Sequence, residues 1–162
     1  MLTLAMLTDA AIVREHCTEP VVDAERRQPV EGVSNQAIGR VLIVDDEADI
    51  LQSVGRRLCF AGYEVSFASD GAEATQMALA ERPDVIILDI GMPCGDGHTV
   101  AERIRSNPKT MFTPIIFLTA RTADIDKQKA EEVGAFAYVT KPFKSEELVD
   151  LVKQAIGRTR AV

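Results

Sequence analysis

The chain has 162 residues, which suits one domain of ordinary size with a tail. Its residues are 46% hydrophobic and 27% charged, as in globular proteins, and its net charge of −7 argues against non-specific binding to nucleic-acid phosphates. No apolar run approaches the roughly 18 to 20 residues that cross a bilayer, and the start lacks the basic region of a signal peptide. We therefore expect a cytoplasmic protein that binds neither membranes nor nucleic acid directly.

Residues 1–39 differ in composition from the rest of the chain. From Thr18 to Gly39 the sequence is polar, contains Pro20 and Pro29 and shows no sustained periodicity, which is typical of a linker. The apolar spacing that begins at Leu4 and Leu7 would suit a short helix, and a helix of that length needs a partner to be stable. The sequence predicts an N-terminal extension that is flexible or carries one short helix.

A regular pattern begins at Arg40 and continues to residue 157, leaving 158–162 as a predicted C-terminal tail. Five apolar runs predict strands: Val41–Val44, Tyr63–Phe67, Val85–Leu88, Ile115–Leu118 and Phe136–Val139. Several of them are continuous rather than alternating, as in strands that are covered on both faces. Helical patterns separate them, so five β-α units with short loops predict a parallel sheet with helices on both faces.

Two of the predicted helices differ in apolar content. The last one has Ser145 as its expected N-cap and places Leu148, Val152 and Ile156 on one face. The segment Ala123–Gly134 offers few apolar residues to bury, so we expect it to be the most loosely held helix.

Polar residues follow four of the predicted strands. The first strand ends in Asp45 and Asp46, the third in Asp89, the fourth in Thr119 and the fifth in Lys141. In an open parallel sheet, ligands bind beyond the carboxyl ends of the strands, so these side chains should share one rim. Carboxylates about 4 Å apart repel one another by about 4 kcal/mol per pair at an effective dielectric of 20. A divalent cation removes this repulsion, and carboxylate oxygens suit Mg²⁺.

A site with Mg²⁺, a lysine and a hydroxyl is suited to stabilising a phosphoryl group during its transfer, and a carboxylate can serve as the nucleophile. Taken singly, each residue also has an ordinary explanation. Asp45 and Asp46 would serve as caps of the first helix, Thr119 as a strand-end cap and Lys141 as a surface lysine. Because these residues all follow strand ends on the same rim of the sheet, one phosphoryl-transfer site explains them better than separate structural roles do.

Four motifs resemble those of a known family. "VDDE", "DIGMPCGDG", "FLTA" and "YVTKPF", in this order and spacing, resemble the receiver domain of stand-alone two-component response regulators over about residues 40–157. The resemblance implies a flavodoxin-like, doubly wound sheet of five parallel strands in the order 2-1-3-4-5. It also implies a phosphorylation-dependent signalling protein, which receives its phosphoryl group from a sensor histidine kinase or a histidine phosphotransfer protein.

The resemblance also implies a role for each acidic residue. Asp89 would be the phosphoacceptor. Asp46 and Asp89 would bind Mg²⁺ directly with the backbone carbonyl of Gly91, and Asp45 would hold a metal-bound water. The protein would assist its own phosphorylation and dephosphorylation without being an enzyme that acts on another substrate.

The remaining implied roles concern the phosphoryl oxygens and the response. Thr119 would hydrogen-bond one phosphoryl oxygen and Lys141 would pair with another. Tyr138 falls on the aromatic switch position, although ordinary packing would also explain a tyrosine there. The Lys141–Pro142 peptide bond would be cis. Because the sequence after Ile156 is short, we expect the output to be contact with a downstream protein.

Two other functions stay open at this point. One is a phosphohydrolase with an aspartyl phosphate; such enzymes carry D-x-D after the first strand, where this chain has Asp45-Asp46-Glu47. The other is a receiver-like binding module that is no longer phosphorylated, against which all five expected side chains argue.

The cysteines and histidines belong to no motif. Cys17, Cys59 and Cys94 are far apart and odd in number, so we expect reduced thiols rather than a disulfide framework or a zinc site. Neither His16 nor His98 is placed like a phosphate carrier.

Overall fold

A computed structural model of the chain describes residues 37–92, 97–120 and 131–161. In these ranges five strands and four helices follow one another: β1 (Arg40–Val44), α1 (Ala48–Phe60), β2 (Glu64–Ala68), α2 (Gly71–Glu81), β3 (Val85–Asp89), α3 (Gly97–Ser106), β4 (Ile115–Thr119), β5 (Ala137–Thr140) and α4 (Ser145–Arg160). All strand pairs are parallel and the order is β2-β1-β3-β4-β5. This confirms the predicted fold class and strand order.

Two apolar layers cover the sheet, one on each face. Val41 and Ile43 of β1 point into the layer formed with α1 and α4, while Leu42 and Val44 point into the layer formed with α2 and α3. Every residue of β3 and β4 is buried, which explains why these strands are continuous apolar runs. Each large apolar side chain buried here stabilises the fold by about 1.5–3 kcal/mol.

The helices α1 and α2 begin directly beyond the carboxyl ends of β1 and β2. In α1, a Cβ at Gly55 would lie 2.5 Å from the ring of Phe67, so the absent side chain lets the helix lie close to the sheet. At the start of α2, the Asp70 carboxylate accepts hydrogen bonds from the backbone N–H groups of Ala72 (2.8 Å) and Glu73 (2.9 Å). This is a side-chain N-cap, and it fixes where the helix begins.

The helix α4 begins one residue earlier than predicted. Its N-cap is Lys144, whose side chain makes no cap hydrogen bond, and Ser145 is the first helical residue, so the prediction of a Ser145 cap is wrong. Glu146 and Glu147 lie in the first turn, where carboxylates interact favourably with the helix dipole. The helix continues to Arg160, so the predicted domain boundary at residue 157 falls inside it.

Several predictions fall on residues outside the described ranges. These are the N-terminal extension as far as residue 36 and the loosely held helix as far as residue 130. The described part of the extension, residues 37–39, joins the sheet: the Ile38 N–H donates to the Gly62 carbonyl and the Gly39 carbonyl accepts from Glu64, both at 2.9 Å. No helix in the described ranges is both long and apolar enough to cross a membrane.

The expectation of three reduced thiols is wrong. Cys59, near the end of α1, is disulfide-bonded in the structure. Cys17 and Cys94 lie outside the described residues.

Candidate functional site

Three carboxylates meet at the carboxyl ends of β1 and β3. Asp45 follows β1 and is completely buried, Asp89 is the last residue of β3 and is 4% exposed, and Asp46 is exposed. One oxygen from each lies within 4.8 Å of the others. The strands bring these residues together because β1 and β3 are parallel neighbours, with Val44 beside Leu88.

Lys141 brings a positive charge into this cluster from the other side of the sheet. Its ammonium nitrogen lies 2.8 Å from Asp45 Oδ2, 3.0 Å from Glu47 Oε1 and 3.5 Å from Asp89 Oδ1. The backbone N–H of Lys141 donates to the Thr119 carbonyl at 2.7 Å, which fixes the chain where it leaves β5. The Lys141–Pro142 bond is cis, as predicted.

Burial and charge act in opposite directions on this cluster. Burial raises the pKa of Asp45, although the hydrogen bond from Lys141, the one from the Glu47 N–H (2.9 Å) and the lysine charge all lower it. Burial also lowers the pKa of Lys141, but its hydrogen bonds to Asp45 and Glu47 and the nearby carboxylate charges outweigh this, so its pKa is raised overall. Lys141 therefore stays protonated, and its charge offsets part of the repulsion between the carboxylates.

Two glycines leave room around Asp89. A Cβ at Gly91 would lie 3.4 Å from Asp89 Oδ2, so this backbone passes beside the carboxylate. A Cβ at Gly97 would lie only 2.5 Å from the backbone carbonyl oxygen of Asp89. The first turn of α3 thus packs directly on the backbone of β3, and only glycine fits there.

The predicted phosphoryl-binding and switch residues lie on the two strands beyond β3. Thr119 ends β4, is completely buried and lies one position past Leu118, the partner of Asp89. Tyr138 is half-buried in β5 and pairs with Phe117. Residues 117 and 119 are two positions apart in β4 and therefore point to the same face of the sheet, which Tyr138 shares as the strand partner of Phe117.

The donor set fits a magnesium ion. The three carboxylates offer oxygen ligands, which Mg²⁺ prefers, and Mg²⁺ needs only one or two carboxylates because it keeps several waters. One ammonium faces three acidic side chains, so the cluster retains the negative charge that a divalent cation would neutralise.

Comparison with known proteins decides the family. The model of the response regulator receiver domain matches residues 41–153. The chain belongs to this family. The resemblance to a response regulator receiver domain is therefore confirmed.

Curated relatives of this receiver are longer proteins. The transcriptional regulatory protein PrrA of Mycobacterium leprae is 44% identical over 122 residues, which are 75% of this chain and 52% of the relative. The response regulator MprA of the same organism is 39% identical over 121 residues, 75% of this chain and 52% of the relative. The chain therefore spans about half the length of the curated relatives it matches.

Solved receiver structures share the fold over nearly their whole length. The chemotaxis response regulator CheY4 of Vibrio cholerae is 40% identical with a TM-score of 0.67, covering 72% of this chain and 97% of that one. The receiver domain of the sensor histidine kinase PA1611 of Pseudomonas aeruginosa is 31% identical with a TM-score of 0.68, covering 74% and 98%. That structure carries a magnesium ion in its active-site cleft.

Sequence reasoning missed two contributors to the site. Glu47 was noted only as an acidic neighbour, yet it binds the Lys141 ammonium; its position at the same rim was the available signal. Gly97 was noted only as part of the motif after Asp89, yet the start of α3 packs on the backbone of Asp89 at this residue. No sequence pattern separates such a packing glycine from a turn glycine.

Proposed function

We propose that Asp89 accepts a phosphoryl group from a phosphohistidine of a sensor histidine kinase or histidine phosphotransfer protein. The observation that carries this proposal is the convergence of Asp45, Asp46 and Asp89 within 4.8 Å, with the Lys141 ammonium 3.5 Å from Asp89. In this proposal residues 40–157 act as the receiver in the cytoplasm, and residues 1–39 are an extension of it.

The transfer is a displacement at phosphorus. A carboxylate oxygen of Asp89 forms a bond to the phosphorus atom while the bond from phosphorus to the donor's imidazole nitrogen breaks, and that nitrogen leaves with its electron pair and takes up a proton. Asp89 is suited to this role because its backbone is fixed by β3 and by Gly97. The hydroxyl of Thr119 and the ammonium of Lys141 bind oxygens of the incoming group and offset its charge.

Asp46, Asp89 and the Gly91 carbonyl would hold Mg²⁺ directly, with Asp45 on a water of its coordination shell. When bound, this ion neutralises the phosphoryl oxygens and the carboxylates during transfer. Lys141 pairs with Asp45 and Glu47, which offsets part of the repulsion among the acidic side chains. Because Asp45 is fully buried and tied to two partners, it is fixed before a ligand arrives.

The phosphoryl group would act as a switch through Thr119 and Tyr138. A hydrogen bond from the Thr119 hydroxyl to the phosphoryl group draws this side chain toward Asp89 and leaves space on its own face of the sheet. Tyr138, half-buried on that face, moves into the space and changes the surface offered to a downstream protein. A ligand can shift such a two-state element only by its difference in affinity for the two states.

Incubation with acetyl phosphate and Mg²⁺, followed by intact-mass analysis, tests the phosphoacceptor. We expect one phosphoryl group on the native chain and none on Asp89→Asn, because an amide is a poor nucleophile. Asp84→Asn is the matched control, since Asp84 precedes the same strand at its other end, where it accepts from the Arg40 N–H. Equal phosphorylation of the native chain and Asp89→Asn would refute the assignment.

A further inference from the structure

One buried titratable residue takes no part in the proposed chemistry. His98 is the second residue of α3 and only 4% exposed. It directly follows Gly97, the residue that packs on the backbone of Asp89. His98 is therefore next in sequence to a residue that packs on the proposed phosphoacceptor.

The imidazole of His98 packs against Phe117 in the sheet. Its ring centroid lies 5.2 Å from that of Phe117, with the planes tilted by 47°, a separation and tilt typical of attractive aromatic pairs. Phe117 is completely buried in β4. Its ring therefore cannot change position without a matching change in its neighbours, because protein interiors are close-packed.

Phe117 also lies beside the proposed switch residue. Tyr138 is the strand partner of Phe117 in β5, and it packs against the same apolar layer. Side chains in register on adjacent parallel strands point the same way, with the strands about 4.8 Å apart. A continuous row thus runs from α3 across the sheet: His98, then Phe117, then Tyr138.

We propose that His98 is a positioning residue that connects the segment carrying Asp89 to Tyr138 through Phe117, in addition to the route through Thr119. The inference rests on the proposed phosphorylation of Asp89. When the backbone beside Asp89 adjusts to a phosphoryl group, Gly97 transmits the adjustment to the first turn of α3. The His98 ring then shifts against Phe117 and changes the space available to Tyr138.

The chain offers a clean probe of this row. It has two tyrosines and no tryptophan, so the protein labelled with 3-fluorotyrosine gives two ¹⁹F signals, and Tyr63→Phe assigns the one from Tyr138. Acetyl phosphate with Mg²⁺ is the phosphorylating probe, and intact mass gives the phosphorylated fraction. The change of the Tyr138 signal per phosphorylated molecule then measures the coupling between Asp89 and Tyr138.

We expect His98→Leu, which removes the ring and keeps an apolar side chain, to reduce that signal change by about half or more at the same phosphorylated fraction. His98→Phe keeps a ring beside Phe117 and should retain the native response. Val100→Ala is the matched control: Val100 is equally buried on α3 but contacts Gly71 of α2. Thermal melts of each variant establish that it is folded.

A second set of variants separates the route through Thr119 from the route through His98 and Phe117. Thr119→Ala should leave part of the Tyr138 response per phosphorylated molecule, and adding His98→Leu should remove that part. A native response in His98→Leu, or complete loss in Thr119→Ala alone, would overturn the proposal while leaving the phosphorylation of Asp89 intact. Failure of the native chain to become phosphorylated at all would instead overturn the proposed function, and this inference with it.

Discussion

The ends of β1 and β3 and the edge strand β5 are held in different ways. β3 is buried along its whole length, and the carboxylates at the ends of both strands follow fully buried residues. No residue of β5 is fully buried. The proposed chemistry thus lies where apolar packing fixes the backbone, and the proposed response lies where less apolar area holds the chain.

Polar contacts replace part of the missing apolar burial beside β5. The guanidinium of Arg105 donates to the carbonyls of Met111 (2.7 Å) and Thr113 (2.6 Å) before β4, and to those of Val133 (3.2 Å) and Gly134 (3.0 Å) before β5. Burial lowers the pKa of Arg105, and the guanidinium stays charged all the same. One side chain therefore ties the approaches to both strands together.

The largest expected effect is on the carboxylate cluster at the ends of β1 and β3. Asp46→Asn removes one charge from the cluster, and a charge at about 4 Å from a divalent ion is worth at least about 4 kcal/mol at an effective dielectric of 20. We expect the Mg²⁺ concentration needed for half-maximal phosphorylation by acetyl phosphate to rise by about tenfold or more. Asp49→Asn, an exposed acid in the first turn of α1, is the control and should leave that concentration unchanged. Equal behaviour of the two variants would show that Asp46 does not bind the metal.

A smaller effect is expected at Arg105. Lysine keeps the charge but cannot reach the carbonyls before β4 and those before β5 at the same time. At about 1 kcal/mol per net hydrogen bond, Arg105→Lys should lower the free energy of unfolding by about 1–3 kcal/mol. Amide hydrogen exchange should accelerate in β5 more than in β1 or β3. The control is Arg57→Lys, whose ion pair with Glu146 is half-exposed on both sides and is worth about 0–1 kcal/mol. Uniform acceleration over all strands would remove the proposed difference between the two regions.

The smallest effect is that of the metal on stability. We expect Mg²⁺ to bind the folded chain and not the unfolded one, so at ten times its Kd it should add about 1.4 kcal/mol to the free energy of unfolding. For a domain of this size this raises the Tm by roughly 3 to 8 °C. Calorimetry with and without Mg²⁺ measures it, and Asp46→Asn should reduce the shift at the same Mg²⁺ concentration. A Tm that does not respond to Mg²⁺ at neutral pH would contradict a metal site.

The sequence was most informative where a residue follows a buried strand. Apolar runs located all five strands to within one residue, and the strand order that the resemblance implies then places Asp45 and Asp89 at the ends of neighbouring parallel strands. The first helical residue of α4 was off by one, because Ser145 is a common capping residue and only the backbone geometry shows that Lys144 occupies the cap.

Contacts between distant segments could not be predicted. The bonds of Arg105 depend on two loops meeting beside α3, and the His98–Phe117 contact depends on how α3 is rotated on the sheet. Neither leaves a periodic signal in the sequence, since each involves one residue of an ordinary helix pattern. The pairing of Lys141 with Glu47 likewise needs the true separation of β1 and β5 across the sheet.

The most direct test of the central claim is to locate the phosphoryl group. An acyl phosphate on aspartate is reduced by borohydride to homoserine, which marks the modified position permanently for peptide mass analysis. After treatment with acetyl phosphate and Mg²⁺, we expect homoserine at position 89 and unchanged aspartate at positions 45 and 46. Homoserine at either of those two positions, or at none of the three, would contradict it.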